Sequence, residues 1–230
     1  MLRLVRLVIV LIVLLMLIRS TLGAWRNRRV AVAVWRRIRL RHILGSLGLI
    51  AVVVAVAVTL STLVPVTQFG LGSLVGVSGN AMFAPVQDVL LDGGVGAPAE
   101  HGAGWLGPAL VTGFCGLLLV LFPWLAYVEE RIFREGLEHA SLRRQAGAAL
   151  RFGLAHVAML IPVAAALAIG VAGFVYGLIY RAAYRRAANG TLHAPGWARA
   201  EAVLVSTVWH TTFNSLLVVL LLVGLASTFR

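Results

Sequence analysis

The sequence has no lysine, a single cysteine and only eight acidic residues in 230, and from His42 to Glu130 it has no arginine. Each scarcity excludes something. One cysteine, Cys115, excludes an intramolecular disulfide, and its position within an apolar run assigns it to packing. Charged residues make up 12 % of the chain and hydrophobic ones 60 %, whereas a soluble domain has roughly a quarter of its residues charged. An ordinary soluble fold is therefore excluded. A net charge of +12 would suit nucleic acid, but the remaining residues could not build a soluble recognition fold, so nucleic acid is set aside as a partner. The HExxH spacing of common zinc peptidases is missing, as are an internal repeat and a low-complexity linker. The chain is read as one domain, residues 1–230.

What is present is arginine and long apolar runs. All twenty basic residues are arginines, gathered near the N-terminus, around 131–151 and around 181–199. They flank the apolar runs, the pattern of cytoplasmic loops drawn to anionic leaflets, which makes membrane lipid the first expected partner. A span needs about 20 apolar residues. Residues 43–66, 105–128 and 201–228 meet this, and 152-FGLAHVAMLIPVAAALAIGVAGFVYGLIY-180 is too long for one crossing. Pro162 predicts a break there, with a short helix up to about Leu160 and a second returning toward Tyr180. The run 3-RLVRLVIVLIVLLMLI-18 resembles a signal-peptide core. Cleavage near Ala24 would leave Arg26, Arg28 and Arg29 at the head of the mature chain, so an uncleaved anchor is expected.

The fold class expected is all-α, a polytopic transmembrane helical bundle with about six to seven membrane-embedded helices. Residues 1–42 form an anchor and basic interfacial segment, and 105–228 form the core predicted to carry the chemistry. Eight arginines between 19 and 41, against two before residue 7, put that loop in the cytoplasm and the N-terminus outside. Within it, residues 25–42 are expected to lie along the interface, with Trp25 and Trp35 at headgroup depth. Residues 67–104 are then outside. Exclusive arginine usage points to a GC-rich bacterial genome, hence the bacterial plasma membrane. The sequence carries no signal for an oligomeric state.

An ionisable residue at the centre of a membrane helix costs about 2.5 to 3.5 kcal/mol on insertion scales, so each one needs a reason. The candidates are Glu129, Glu130, Arg134, His156, His210 and Asn214. Glu130 and Arg134 stand four apart with the glutamate first, the better orientation for a helical ion pair, and Arg131 with Glu135 and Arg134 with Glu138 offer the same pairing. Glu129 is left over: its i+4 neighbour is Phe133, and no local base neutralises it. Phe152 with His156, and His210 with Asn214, share helical faces by the same spacing. The second pair presents two donors to one point, as a developing oxyanion requires. His42, His101, His139 and His193 lie in polar or interfacial stretches and receive no special role. Glu201 is assigned to the positive end of the last helix. Trp105, Trp124, Trp197 and Tyr127 are read as interfacial or packing aromatics.

Three stretches, 129-EERIFR-134, 152-FGLAH-156 and 210-HTTFN-214, resemble in that order the EExxxR, FxxxH and HxxxN motifs of the CPBP intramembrane proteases, the CaaX-processing and bacteriocin-processing family also called Abi. The resemblance covers residues 129–214; the first 105 residues carry none, and the segment from Ala187 to Arg199 is longer than usual for the family. It implies a peptidase in which Glu129 is general base to a water that His156 positions, while His210 and Asn214 stabilise the oxyanion. Glu130, Arg134 and Phe152 would support them. It also implies metal-free chemistry with no cofactor, and a membrane-associated peptide or protein substrate. Hydrolysis needs water, and the expected topology places the opening on the cytoplasmic side. Three alternatives stay open: a zinc site built from one glutamate and two histidines, a non-catalytic scaffold, and a carrier using Glu129 and His156 as a proton relay.

Overall fold

The computed structural model describes residues 2–74, 81–86, 106–189 and 195–228. Among these residues the chain is all α, a bundle of eight helices joined by short 3-10 turns: α1 (Leu2–Arg26), α2 (Arg28–Arg37), α3 (Leu40–Leu63), α4 (Leu71–Leu74), α5 (Leu106–Phe133), α6 (Leu142–Ala155), α7 (Val163–Asn189) and α8 (Pro195–Thr228). Five of them, α1, α3, α5, α7 and α8, are long and apolar enough to cross a membrane, and the chain is an integral membrane protein. The short helix expected before Pro162 is the 14-residue α6. Most of segment 67–104, with His101, Trp105 and His193, lies outside the described residues.

Local chemistry explains most of the boundaries. The basic stretch 25–42 is divided in three: α1 ends at Arg26, Asn27 turns the chain with its side-chain amide donating to the Gly23 carbonyl at 2.9 Å, and α2 follows as a ten-residue helix. Val34 is fully buried while Trp35 and the flanking arginines are exposed. His42 has a role after all. It is buried, its Nδ1 accepts the backbone N–H of Arg39 at 2.9 Å to cap α3, and its ring meets Trp209 edge-on at 4.9 Å. Helix α3 stops before Pro65, which opens a 3-10 turn. Helix α5 does not end at Val128; it continues through Glu129 and Glu130 to Phe133, and Gly136 then turns the chain at φ 88°, a conformation that favours glycine.

Ser141 caps α6 by accepting the Arg144 N–H at 3.3 Å. That helix gives way at His156 to a single 3-10 turn. Leu160 follows in the left-handed region at φ 65°, and Pro162, lacking an N–H, precedes the new helix α7. Helices α6 and α7 then run antiparallel at close quarters. A Cβ on Gly153 would come within 2.7 Å of the Gly170 nitrogen, and one on Gly173 within 2.6 Å of the Phe152 ring. Small residues at such crossings let membrane helices pack where the hydrophobic effect between them is weak. The segment 187–199 is largely helical, α7 reaching Asn189 and α8 starting at Pro195.

The two ends of the bundle differ. One end gathers the arginines: Arg37 meets Glu201 at 2.6 Å and Arg199 donates to Glu138. Glu201 thus serves as a partner for α2, six residues into α8, and is not an opening residue of that helix. At the other end, free of arginine, the Val163 N–H donates to the Phe69 carbonyl at 3.0 Å.

Candidate active site

Four helices, α5 to α8, enclose a cavity of about 280 Å³ whose lining includes Glu129, Phe152, His156, Tyr176, His210 and Asn214. The four residues assigned to chemistry from the sequence thus come from three separate segments to one space. The rest of the lining is apolar. It runs along α5 through Leu125, Phe122 and Leu118 and along α8 through Leu217, Val218 and Leu221 to Met82 and Phe83 of the 3-10 turn Ala81–Val86. Following α5 backward from Glu129 leads away from the arginine-rich end, so the polar part of the cavity lies toward that end and the apolar arm toward the other.

His210 is the centre of the polar part. Its Nδ1 lies 2.9 Å from Glu130 Oε1 and its Nε2 3.5 Å from Glu129 Oε2. Tyr176 stacks on one face of the ring, centroids 4.8 Å apart and planes at 21°, and Phe152 meets it edge-on at 5.6 Å. The two adjacent glutamates therefore grip opposite nitrogens of one imidazole. Their surroundings differ. Glu130 is wholly buried; its Oε2 accepts the Ser206 hydroxyl and has Arg134 Nε at 3.7 Å. Glu129 keeps about a third of its side chain exposed, yet its Oε2 is buried with no hydrogen-bond partner.

His156 is half-buried in the 3-10 turn after α6. Its Nδ1 lies 2.8 Å from the Phe152 carbonyl. A carbonyl only accepts, so this nitrogen carries the proton and Nε2 is left with a free lone pair. The i, i+4 relation of Phe152 and His156 survives the switch to 3-10 geometry, and their rings meet at 4.8 Å.

Arg134 pairs with Glu130, as the spacing predicts, but in the interior and not in solvent. Its side chain is 1 % exposed, its guanidinium carbon lies 4.3 Å from the centre of the Phe152 ring, and its three nitrogens have no hydrogen-bond partner. A buried charge of this kind is retained because its partners, a carboxylate and an aromatic face, are fixed around it. Arg131 pairs with Glu135 at 3.0 Å on the surface. The third expected pair, Arg134 with Glu138, does not form. Helix α5 ends at Phe133, so the i, i+4 relation lapses, and Glu138 instead accepts from the Tyr180 hydroxyl at 3.0 Å and from Arg199. Burial pushes the Glu138 carboxyl up, but bonds from backbone, Arg199 and Tyr180 outweigh it and hold the group below its ordinary value.

Sequence reasoning missed Tyr176 and Ser206. Ser206 was within reach, since it precedes His210 by the same four residues that separate His210 from Asn214. Tyr176 offered no polar signal, being one aromatic among glycines in 170–180. Among the described residues no group of three or more His, Cys, Asp or Glu side chains is placed to hold a metal ion. No protein-family model, no curated protein and no solved structure matches the chain.

Proposed function

We propose that the protein is an intramembrane endopeptidase that hydrolyses a peptide bond with a water activated by Glu129. The observation that carries this reading is the meeting of Glu129, His156, His210 and Asn214 on one cavity inside a bundle of apolar helices. Membrane interiors do not collect such groups without use, because each is expensive there. The geometry suits general-base chemistry. Glu129 Oε2 has no partner in the resting site and can accept a water proton, and the free Nε2 of His156 can hold the same water by its other hydrogen. The Asn214 side-chain amide, one turn beyond His210, supplies a donor for the carbonyl oxygen as it gains charge. The similarity of 129–134, 152–156 and 210–214 to the CPBP motifs supports the same assignment of roles. The expected substrate is a membrane-associated peptide, and the expected setting is a bacterial plasma membrane with the arginine-rich end, and the site's water supply, on the cytoplasmic side.

The test is cleavage of a membrane-proximal peptide by purified protein in detergent or nanodiscs, with a strong chelator present. Wild-type turnover that survives chelation and is abolished in Glu129→Ala at unchanged melting temperature is the expected result. Full turnover in Glu129→Ala would sink the mechanism; loss of turnover on chelation would favour a zinc enzyme instead.

A further inference from the structure

Resting on that reading, we infer that His210 is the general acid of the reaction, protonating the leaving amine from Nε2, and that buried Glu130 is the positioning residue that makes it one. Glu130 Oε2 already receives the Ser206 hydroxyl and faces the Arg134 guanidinium, two donors that require a carboxylate. Its Oε1, 2.9 Å from His210 Nδ1, must therefore accept the imidazole proton, which fixes Nδ1 as protonated. A neutral His210 then has no second N–H to offer. Its Nε2 bears a lone pair aimed at Glu129 Oε2, 3.5 Å away, and cannot donate to an oxyanion. The contact becomes attractive only when the Glu129–His210 pair holds one additional proton. The charges facing the ring support that state: Glu129, Glu130 and Arg134 from α5 sum to one negative charge, and no other ionised side chain approaches it. His156, Tyr176, Ser206 and Asn214 complete the surroundings from α6, α7 and α8.

The proton balance closes without any external co-reactant. Water attacks the scissile carbonyl carbon as Glu129 removes one of its protons, giving a tetrahedral oxyanion that Asn214 holds. The C–N bond breaks as the Nε2 proton of His210 passes to the departing nitrogen, releasing an amine and a carboxylic acid. The proton on Glu129 returns to His210 Nε2 across their contact, and the site is reset. Stacking on Tyr176 and the edge of Phe152 keep the ring in the plane that serves both carboxylates. The arrangement has the logic of an Asp–His dyad, in which the carboxylate sets tautomer and orientation.

The experiment compares a peptide substrate with the matching ester of a good leaving group, which departs without being protonated. His210→Ala is expected to lose about 10³-fold on the peptide and about tenfold or less on the ester, the range general-acid catalysis supplies. Equal losses on both substrates, or substantial rescue by His210→Asn, would assign His210 to the oxyanion and overturn this role alone. Wild-type protein that cleaves neither substrate would overturn the hydrolase reading itself, and this role with it. Glu130→Gln is expected to lower kcat with KM unchanged and to move the alkaline limb of the kcat profile to lower pH. A folded Glu130→Gln variant with the wild-type pH profile would show that Glu130 only supports the helix.

Discussion

Helices α1 and α3 and helices α7 and α8 are all apolar enough to span a membrane, yet only 11 % of the first pair's residues in their apolar windows are buried in the protein, against 50 % for the second. The outer helices are rich in large aliphatic side chains that stay exposed, such as Leu7, Leu11 and Leu15 on α1 and Val54 and Val58 on α3. In lipid such side chains gain little by leaving one apolar medium for another. The inner helices bury what is small or polar: Ala164, Ala166, Ala168, Gly170 and Gly173 on α7, and Ser206, Thr207, Thr211 and Thr212 on α8. In a membrane the functional interior is thus marked by reduced bulk and by hydrogen-bonding groups, the reverse of a water-soluble core.

This contrast can be broken in order of expected effect. Replacing Glu129 by alanine in the inner set should lower peptide turnover by about 10³-fold or more, while Leu11→Ala, at a position 55 % exposed on α1, should leave turnover within twofold of wild type, about the resolution of a difference of a few tenths of a kcal/mol. Comparable losses in both would mean that α1 is part of the working interior.

Next come the glycines. Gly153→Ala places a methyl against the α7 backbone and should cost about 1 to 3 kcal/mol as overpacking does, while Gly48→Ala on α3, where nothing lies within 4 Å, should be neutral or stabilise by up to about 1 kcal/mol through helix propensity. Denaturation in mixed micelles distinguishes the two. Equal effects would show that the α6–α7 contact is looser than its geometry.

A smaller effect concerns pH at the arginine-rich end. The Glu138 carboxyl is held below its ordinary value when folded, so its contribution is fully present above about pH 4.3, the usual glutamate value, and fades as pH falls through the lower folded value. Melting temperature followed from pH 7 to pH 3 should drop more steeply at the acid end in wild type than in Glu138→Gln. Superimposable curves would mean that the bonds from Tyr180 and Arg199 contribute nothing. The smallest effect belongs to Arg37 and Glu201, whose side chains are 43 % and 27 % exposed. Arg37→Ala should cost no more than about 1 kcal/mol and less in high salt. A larger, salt-independent loss would show that α2 is held by more than this pair and buried Val34.

Much of this organisation was legible along the chain. The break at Pro162, the apolar spans and the single domain followed from composition and from proline chemistry. The shared faces of Phe152 with His156 and His210 with Asn214 followed from helical spacing. Other features were hidden because they depend on which helix lies beside which. His42 reads as interfacial until Trp209 and the Arg39 amide are found around it. Glu138 reads as an i+4 partner of Arg134 until Gly136 ends the relation and Tyr180 arrives from α7. The division of 129-EERIFR-134 into one supporting and one working glutamate was available from Phe133 and Arg134, but the common imidazole between them was not.

By itself the sequence determined that this chain forms membrane helices, where they break, and which polar residues share a helical face, because apolar length and periodicity are properties of neighbours on the chain. Only the tertiary structure decided that Glu129 and Glu130 take opposite nitrogens of His210, that Tyr176 stacks on it and that Ser206 completes the carboxylate. Those contacts join residues 30 to 81 positions apart, and hydrogen bonds over such separations depend on how α5, α7 and α8 pack, which no local pattern encodes.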